Sequence, residues 1–403
     1  MFYSLVYIRA RLLSQLNLSH PNLTEDAGPY MPTLTFFLSL SGSLTAWKKA
    51  GILDREILHL SEYIRAGVFD KVNIFSYSRS DLTLLSDLRA ADSVYEKFDV
   101  LVPSRKATKP VVLLHSIFGP LHHYRRIAAS AALKTNQISG SWAALIARVC
   151  TRRPLLLRFG YILSRRFRLN GQRSAAFLAR LVERIGLRLA DAVVVTSEQA
   201  AAEIRGRTDS SSKVHLVPTY VDTELFAPGN AVEQNGRFIY VGRLTPQKNL
   251  ANLIRAAQRG GFEIDMFGEG PLKGDLAALA EALGAKVRLL GSIPNTELAG
   301  TMKNYRYFVL PSLHEGLPKV LLEAMSTGLI CVGTNIPGTS DLIKDGVTGY
   351  LSDGTTDLEL ADALQRASEG KNTGSAARAL IEERYGIRRY IEQEAAIFES
   401  VFN

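Results

Sequence analysis

Short apolar runs alternate with longer amphipathic stretches along this chain from Leu34 onward. In the C-terminal half, the apolar runs have the length and composition of strands that are buried in a parallel sheet. These predicted strands are FIYVG (238–242), EIDMFG (263–268), VRLLG (287–291), YFVLP (307–311) and ICVGT (330–334). Between them, apolar residues recur at helical spacing, as in Leu250, Leu253 and Ala257.

The N-terminal half shows the same alternation with fewer turn residues. Its predicted strands are LTFFLSL (34–40), VNIFSY (72–77), VVLLHS (111–116), LLLRFG (155–160) and AVVVTS (192–197). Strands that alternate with helices predict open, doubly wound α/β sheets with helices on both faces. In two such sheets that face each other, ligands bind beyond the carboxyl ends of the strands, which predicts a site in the cleft between two domains.

The domain boundaries follow from turn residues and from gaps in the pattern. The segment VPTYVDTELFAPG (217–229) has proline near both ends and finishes in glycine, so we place the interdomain linker there. We expect one domain over residues 31–220 and a second over residues 221–385. Residues 1–30 contain no strand pattern and are interpreted as an N-terminal extension.

One basic segment supplies the whole positive surplus of a chain whose net charge is +9. Residues 101–190 hold seventeen Lys or Arg and one acid, Glu183. The densest part, residues 152–173, mixes arginines with Leu, Ile, Phe and Tyr, which suits an anionic membrane surface. A solvated basic face without a partner is the alternative. Nucleic acid is not expected as a partner, because the sequence lacks helix-turn-helix, zinc-finger and RNA-recognition signatures.

Cysteine content and hydropathy indicate the compartment. The two cysteines, Cys150 and Cys331, exclude a disulfide framework and a zinc-ligand cluster, and they suit a reducing compartment. The stretch 33–47 is too short and too polar to span a bilayer, and Arg9 and Arg11 interrupt the place of a signal peptide's apolar core. We therefore expect a cytoplasmic protein that is peripheral on the inner face of the plasma membrane.

The loop GRLTPQKN (242–249) directly follows the predicted strand FIYVG. Gly242 permits a sharp exit from the strand, and Arg243 and Lys248 project from a loop that leads into a helix. Two cations beside a helix N-terminus suit a diphosphate, because the free N–H groups there already favour anions. Two exposed basic residues in an ordinary loop are the alternative.

The segment HEGLPKVLLEAMSTG (314–328) follows the predicted strand YFVLP. Glu315 precedes the predicted helix and Glu323 lies in its second turn, about 12 Å apart along the axis at 1.5 Å per residue. That separation matches the reach from the hexose to the ribose of a nucleotide-sugar. An acid at the helix start together with a solvated one is the alternative, and it is favoured when the pair is taken alone. Gly316 permits close approach of a ligand, and Pro318 suits the first turn of a helix. The amide groups that can bind phosphate oxygens are those of Gly316, Leu317, Lys319 and Val320.

Four ordered motifs together carry a family resemblance. They are GRLTPQKN (242–249), FGEGP (267–271), PSLHEGLPKVLLEAMSTG (311–328) and NIPGTSDLIKDGVTGYL (335–351). Over residues 215–352 the chain resembles the nucleotide-sugar domain of retaining family-4 glycosyltransferases, the glycosyl transferase group 1 family. The resemblance implies the GT-B fold, in which two Rossmann-like domains face a central cleft. It also implies that residues 386–403 form a C-terminal helix that crosses back to the first domain.

The resemblance assigns roles to individual residues. Arg243 and Lys248 would hold the donor diphosphate, Glu315 and the amides after it would contact the transferred sugar, and Glu323 would bind the ribose. The remaining donor-side residues implied in this way are Gly242, Gly268, Gly270, Ser292, Ile293, Gly316, Leu317, Pro318 and Val320. One departure from the family is Ser340-Asp341, where members usually carry a Pro-Glu pair.

The acceptor side is less well marked. Many family members carry a histidine after an N-terminal-domain strand, whereas the corresponding stretch here contains Arg158 and Tyr161 and no histidine. His115 is the nearest substitute, and a structural role for a buried histidine is the alternative. Ser41 and Gly42 follow the first strand, where a loop facing the acceptor and the diphosphate is expected. Ordinary turn chemistry explains these two residues equally well.

These features predict a hexosyltransferase that acts on a growing, lipid-linked glycan in surface polysaccharide or lipopolysaccharide synthesis. The sequence lacks an Asp-x-Asp motif that could hold a divalent metal between the phosphates, so we expect no metal and no cofactor. Arg243 and Lys248 would take the place of the metal. Retention in the family is attributed to front-face attack, with the donor phosphate accepting the acceptor's proton. A catalytically silent GT-B protein that binds nucleotide-sugar or glycan is the main alternative. An epimerase or phosphorylase of the same architecture is a further one.

Overall fold

The computed structural model describes residues 32–169, 171–229 and 235–402. The chain divides into two compact units between Val217 and Pro218, and the residues from Ile391 onward belong to the first unit. The N-terminal extension that we expect over residues 1–30 lies outside the described residues. Within the described ranges, none of the helices combines the length and hydropathy that crossing a membrane requires.

The first unit contains seven strands and the helices that connect them. In chain order these elements are β1 (Thr33–Phe37), α1 (Leu44–Lys49), α2 (Leu53–Arg65), β2 (Lys71–Phe75), α3 (Ser80–Ala91), β3 (Phe98–Leu101), α4 (Lys109–His122), α5 (Tyr124–Ala128), β4 (Ala132–Thr135), α6 (Trp142–Thr151), β5 (Leu155–Phe159), α7 (Leu163–Leu169), α8 (Arg173–Leu189), β6 (Ala192–Val195), α9 (Glu198–Arg205) and β7 (Val214–Leu216). All neighbouring strands pair in parallel in the order β3-β2-β1-β4-β5-β6-β7.

The second unit has a parallel sheet of six strands in the order β10-β9-β8-β11-β12-β13. Its elements are β8 (Asn235–Val241), α10 (Leu250–Gly260), β9 (Ile264–Phe267), α11 (Lys273–Ala282), β10 (Val287–Gly291), α12 (Asn295–Met302), β11 (Tyr305–Leu310), α13 (Lys319–Ser326), β12 (Ile330–Thr334), β13 (Tyr350–Ser352), α14 (Asp357–Glu369), α15 (Gly374–Arg384) and α16 (Ile387–Phe402). The last helix, α16, continues into the part of the chain that belongs to the first unit.

The pattern of apolar runs predicted strands correctly where both faces of the strand are buried. All five strands predicted in the C-terminal half are present, and β12 is buried at every position. Such full burial is typical of central strands in parallel sheets and fixes the core of the second unit. The core side chains include Ile254 of α10 and Leu321 of α13, both without exposed surface.

The prediction of a strand over residues 111–116 is wrong. These residues lie in α4, which has Pro110 in its first turn, a position where proline is well tolerated. His115 and Ser116 face the protein, whereas Leu113 and Leu114 are exposed. The apolar run therefore belongs to the outer side of a helix and not to a buried strand.

A buried ion pair holds α16 within the first unit. Lys134 of β4 and Glu394 of α16 form a salt bridge, and neither side chain has any exposed surface. The hydroxyl group of Tyr63 accepts a hydrogen bond from Lys134 at 2.7 Å and donates one to Glu394. Burial lowers the pKa of Lys134 and raises the pKa of Glu394, because each charge has left water.

Candidate functional site

The strand order of the second unit reverses at β8, which pairs with β9 on one side and with β11 on the other. In open parallel sheets, ligands bind at such a reversal, beyond the carboxyl ends of the strands. The loop 242–249 follows β8 and the segment 311–318 follows β11. The two motifs with the predicted charged residues therefore emerge side by side at the expected place.

Hydrogen bonds join these two segments directly. The backbone N–H of Leu313 donates to the carbonyl of Gln247 at 2.9 Å, and the side-chain amide of Gln247 donates to the carbonyl of His314 at 2.8 Å. Next to them, Lys248 forms an ion pair with Glu315. The hydroxyl of Ser312 donates to the same Glu315 oxygen at 2.6 Å. Lys248 and Glu315 are thus held in fixed positions by groups on both segments.

Arg243 differs from Lys248 in its surroundings. Its side chain is exposed, while its carbonyl accepts a hydrogen bond from the Tyr240 hydroxyl at 3.1 Å. Burial raises the pKa of Tyr240, the nearby charge of Glu315 adds to that rise, and Arg243 opposes it. Both predicted charged groups therefore act on the same buried tyrosine, and the Arg243 guanidinium stays open to an anion.

Glycines let a second loop pack against the segment after β8. The N–H of Gly242 donates to the carbonyl of Phe267 at 2.9 Å. A Cβ at Gly268 would collide with the carbonyl oxygen of Gly242, and one at Gly270 would collide with that of Leu244. These glycines are required by contact between backbones within the protein, which explains why side chains are excluded there.

The helix α13 begins immediately after Pro318, which precedes the helix with an extended backbone and does not lie in its first turn as expected. Apart from Gly316 and its two chain neighbours, the described part of the chain places no atom within 4 Å of the position that a Cβ at Gly316 would take, so the space before the helix is open. Leu317 and Val320 are partly buried against the core of the second unit. Glu323 is only 4 % exposed, so its carboxylate lies mostly below the surface of the unit. The first N–H groups of α13 have no acceptor within the helix itself.

The departure at Ser340-Asp341 has a structural consequence. The carboxylate of Asp341 accepts a hydrogen bond from the N–H of Gly338 at 3.1 Å. Gly338 has φ +85°, and a Cβ on it would collide with the carbonyl oxygen of Gly316. Asp341 therefore shapes the loop that contacts the start of the open space before α13.

The other predicted residue pair of the second unit lies after β10. Ser292 is exposed, and Ile293 packs partly against the core of this unit. The N–H of Gly268 donates to the carbonyl of Gly291 at 2.7 Å, which connects this strand end to the loop after β9. No group of three or more His, Cys, Asp or Glu side chains that could hold a metal ion is found among the residues the structure describes.

The predicted acceptor-side residues lie in the first unit. Ser41 has φ +64° and is exposed, and a Cβ on Gly42 would come within 2.7 Å of the carbonyl oxygen of Ser39. The N–H groups of Leu44 and Thr45 donate to the carboxylate of Asp81 at 2.8 and 2.9 Å. The carboxylate of Asp81 therefore already accepts hydrogen bonds from the first N–H groups of α1.

His115 lies inside α4 and not at a strand end as expected. Its ring stacks on Phe75, with 4.5 Å between the ring centroids. Burial lowers the pKa of His115 to about 4, and the neighbouring His123 adds to this shift. His115 is therefore a neutral, packed imidazole, which agrees with the structural role named as the alternative in the sequence analysis.

Arg158 and Tyr161 flank the carboxyl end of β5. The N–H of Arg158 donates to the Thr135 hydroxyl at 3.0 Å, which ties β5 to β4. The ring of Tyr161 lies under the guanidinium of Arg166 at 5.4 Å from its centroid. Both residues stand at a strand end, where ligands of this sheet type bind.

Sequence reasoning missed Gln247, Ser312 and Asp81. Gln247 and Ser312 join the two segments of the site, and Asp81 organises the start of α1. The signal available for Ser312 was its position three residues before Glu315 at the end of a strand. Nothing in the spacing of Asp81 connects it with residues 44 and 45.

Residues 221–385 match the model of the family described as glycosyl transferases group 1. This segment is a glycosyl transferases group 1 domain. The resemblance to the glycosyl transferase group 1 family is therefore confirmed over these residues. The roles assigned to individual residues stay predictions.

Curated relatives match over part of their length. The chain is 34% identical over 178 residues to the UDP-Gal:alpha-D-GlcNAc-diphosphoundecaprenol alpha-1,3-galactosyltransferase of Escherichia coli, covering 40% of this chain and 46% of that protein. It is 34% identical over 187 residues to the amylovoran biosynthesis glycosyltransferase AmsK of Erwinia amylovora, covering 42% and 46%. The matched region spans about half the length of these relatives.

A solved structure shows the same fold over a longer range. The structure of Anabaena Alr3699/HepE in complex with UDP and glucose has a TM-score of 0.69 and 18% identity, and it covers 92% of this chain and 100% of that one. At this identity the likeness concerns the fold. The prediction of a GT-B fold with two Rossmann-like parallel-sheet domains is confirmed.

Proposed function

We propose that this protein is a retaining glycosyltransferase that moves a hexose from a nucleotide-diphosphate sugar to a growing, lipid-linked glycan in surface polysaccharide or lipopolysaccharide synthesis. The observation that carries the proposal is the reversal of strand order at β8. There, the exposed Arg243, the Lys248–Glu315 ion pair and the start of α13 emerge from neighbouring strand ends. This combination offers cations and free N–H groups to one anionic ligand.

Arg243 and Lys248 would bind the diphosphate oxygens of the donor. Lys248 has three N–H donors, so it can keep Glu315 and still donate to a phosphate. Its side chain is 12% exposed and that of Glu315 is 10% exposed, so both are partly shielded from water. Charge interactions in such a setting are stronger than in bulk solvent. The two cations would stabilise the negative charge that grows on the leaving phosphate.

The transfer step breaks the bond between the anomeric carbon and the phosphate oxygen. The acceptor hydroxyl oxygen forms a bond to the same carbon from the same face, and its proton passes to the departing phosphate. In this scheme Glu315 and the amide groups of Gly316 and Leu317 orient the hexose, and Glu323 binds the ribose. The nucleoside diphosphate then leaves, and the configuration at the anomeric carbon is retained.

We propose that the reaction needs no metal, because the chain's own cations occupy the role that a divalent ion would fill between the phosphates. The named partners of similar proteins support a nucleotide-sugar donor. The Anabaena protein was crystallised with UDP and with UDP-glucose, and the Escherichia coli relative is named for a UDP-Gal donor and a diphosphoundecaprenol-linked acceptor. A cytoplasmic site at the inner membrane face, with anionic lipid beside the first unit, fits such an acceptor.

Kinetics of single alanine variants test the proposal. R243A and K248A should each lower kcat/KM by about 100-fold or more, as expected when a charge-stabilising group is lost from a transition state. The matched control is R255A, because Arg255 is an exposed arginine of α10 whose side chain donates to Asn252 at 3.1 Å. Unchanged turnover in R243A and K248A would contradict the assignment.

The same assay separates the alternatives. Nucleotide-sugar binding without transfer to any of a panel of acceptors would favour the silent GT-B protein. A product formed without acceptor would indicate an epimerase, and dependence on inorganic phosphate would indicate a phosphorylase. Activity that survives a chelator and does not rise with added Mg²⁺ or Mn²⁺ is expected, and loss of activity on chelation would contradict the metal-independent mechanism.

A further inference from the structure

Exposed apolar side chains concentrate on three neighbouring helices of the first unit. Among the described residues, eleven of the eighteen large apolar side chains that are strongly exposed lie between residues 113 and 185. Helix α4 contacts α6, and α6 contacts α8. We call the outer side of α4, α6 and α8 the helical face. Exposed apolar patches of this kind mark surfaces that bind a partner.

On α4 the exposed residues follow the helical period. They are Leu113, Leu114, Ile117, Phe118 and Leu121. The opposite side of the helix is buried, because a Cβ at Gly119 would come within 2.7 Å of the Phe75 ring. The apolar row therefore points away from the sheet.

Helix α8 repeats this arrangement. Its exposed apolar residues are Phe177, Leu178, Leu181 and Ile185, and Phe177 is 73% exposed. Between α6 and α8 runs a groove of about 320 Å³ with an entirely apolar lining. The lining includes Trp142 and Val149 of α6 and Val182 of α8. Apolar groups thus continue across the helical face from α8 to α6.

Cations accompany these apolar side chains, and exposed acids do not. Arg173, Arg180, Arg184 and Arg188 of α8 are exposed, and Lys109 is exposed at the start of α4. The only acid within residues 101–190 is Glu183. Its carboxylate is buried and accepts hydrogen bonds from Ser164 at 2.6 Å and from Arg207 at 3.0 Å. The exposed charge of the helical face is therefore positive only.

We propose that the helical face docks on an anionic lipid bilayer. The Leu, Ile and Phe side chains of α4 and α8 enter the interface, and the arginines of α8 bind lipid phosphates. A second copy of the chain does not fit this face well, because contact between two such faces would oppose positive charges. The docking surface also differs from the segment 152–173 expected from the sequence, since Leu155, Leu157 and Phe159 are buried in β5.

Vesicle cosedimentation of the full chain tests the proposal, and it needs neither donor nor acceptor. Binding to vesicles with phosphatidylglycerol should exceed binding to phosphatidylcholine vesicles, and it should fall as salt rises. The pair R180Q/R184Q should weaken binding by about fivefold per removed charge. The pairs L114S/F118S and F177S/L181S should each weaken it by about tenfold or more, because apolar burial is lost.

The control is L283S/L358S, which removes two exposed leucines of the second unit that are 37% and 62% exposed. It should bind vesicles like the unchanged chain. Because all the substituted side chains are exposed, every variant should have the melting temperature of the unchanged chain. Adding UDP should raise that temperature by the same amount in every variant. Equal binding to both vesicle types would overturn the proposal. So would a concentration-dependent dimer that F177S/L181S abolishes, since the face would then serve a second copy.

Discussion

The loop after β1 in the first unit and the loop after β8 in the second occupy the same place in their sheets, beside the strand at which the order reverses. In the first unit, the buried Asp81 accepts from the N–H groups of Leu44 and Thr45 and from the Ser76 hydroxyl. In the second unit, Arg243 is exposed and Lys248 is paired at a partly exposed position.

This difference assigns the charges two separate tasks. At the first reversal, the Asp81 carboxylate accepts hydrogen bonds from within the protein, which favours stability over ligand binding. Charges at the second reversal remain accessible, which favours binding an anion. Substitutions at the first reversal should therefore lower the free energy of unfolding and leave nucleotide affinity unchanged. Substitutions at the second reversal should lower nucleotide affinity and leave the free energy of unfolding nearly unchanged.

The largest effect on stability is expected at Lys134. K134M should lower the free energy of unfolding by about 3–5 kcal/mol, because it removes one charge of a fully buried ion pair with Glu394. Urea unfolding followed by circular dichroism measures this change. The triple variant Y63F/K134M/E394M removes all three polar groups and should recover most of the loss. A loss in the triple variant as large as in K134M would contradict this explanation.

The next largest effect is expected at Asp81. D81A should lower the free energy of unfolding by about 3 kcal/mol, since several buried donors lose their acceptor at once. Calorimetric titration with UDP should give the same affinity as the unchanged chain, because the cations predicted to hold the diphosphate, Arg243 and Lys248, lie in the other unit. A marked loss of UDP affinity in D81A would break the proposed division of tasks.

A smaller effect is expected from the histidines packed on Phe75. The pKa values of His115 and His123 are lowered to about 4, chiefly by burial. Their neutral forms are therefore favoured in the folded state, so stability is fully present above about pH 6.5 and is lost as pH falls towards 4. The charged or titratable neighbours are His122 and Arg126.

Thermal unfolding at a series of pH values tests this expectation. The melting temperature should fall between pH 6.5 and pH 4, by about 2–4 °C for each kcal/mol lost in a unit of this size. H115Q should show a shallower fall over the same window. An identical pH dependence in H115Q would rule out His115 as a contributor.

The smallest effect on stability is expected at Gly316. G316A should change the free energy of unfolding by no more than about 0.5 kcal/mol, because the added methyl group meets only open space. It should nevertheless weaken UDP-sugar binding by roughly tenfold, equal to about 1.4 kcal/mol, if the ligand fills that space. Unchanged binding would mean that the donor lies elsewhere.

Gly338 provides the contrast for Gly316. G338A should lower the free energy of unfolding by about 1–3 kcal/mol, because Gly338 has φ +85° and its methyl group would meet the Gly316 carbonyl. The two alanine variants thus compare a glycine kept for ligand access with one kept for internal packing.

Sequence reasoning predicted the second unit well because its strands are uninterrupted apolar runs. It missed β4 because Lys134 interrupts the short run ALKT, and residues distant in sequence, Tyr63 and Glu394, make a buried lysine possible there. It predicted a strand within α4 because an exposed apolar row resembles a buried one in composition. Whether such residues face the protein or the solvent is decided by tertiary packing.

The charged residues of the candidate site were predictable from the sequence, but the contacts that join them in the fold were not. Arg243, Lys248 and Glu315 stand beside strand ends in the sequence, and that position indicated their chemistry. The contact between Gln247 and His314 joins residues 67 positions apart, and no local pattern encodes it. Gly268 and Gly270 were expected in the donor-side loop, and their contacts with residues 242 and 244 became visible only in the fold.

The two cysteines offer unequal chemical access. Cys331 is fully buried in β12, and burial raises the pKa of its thiol, so little of the reactive thiolate can form. Cys150 is half-buried and lies at the groove between α6 and α8. A maleimide dye added to the native protein should therefore label a single position, and its fluorescence would report on the polarity around the groove without any engineered residue.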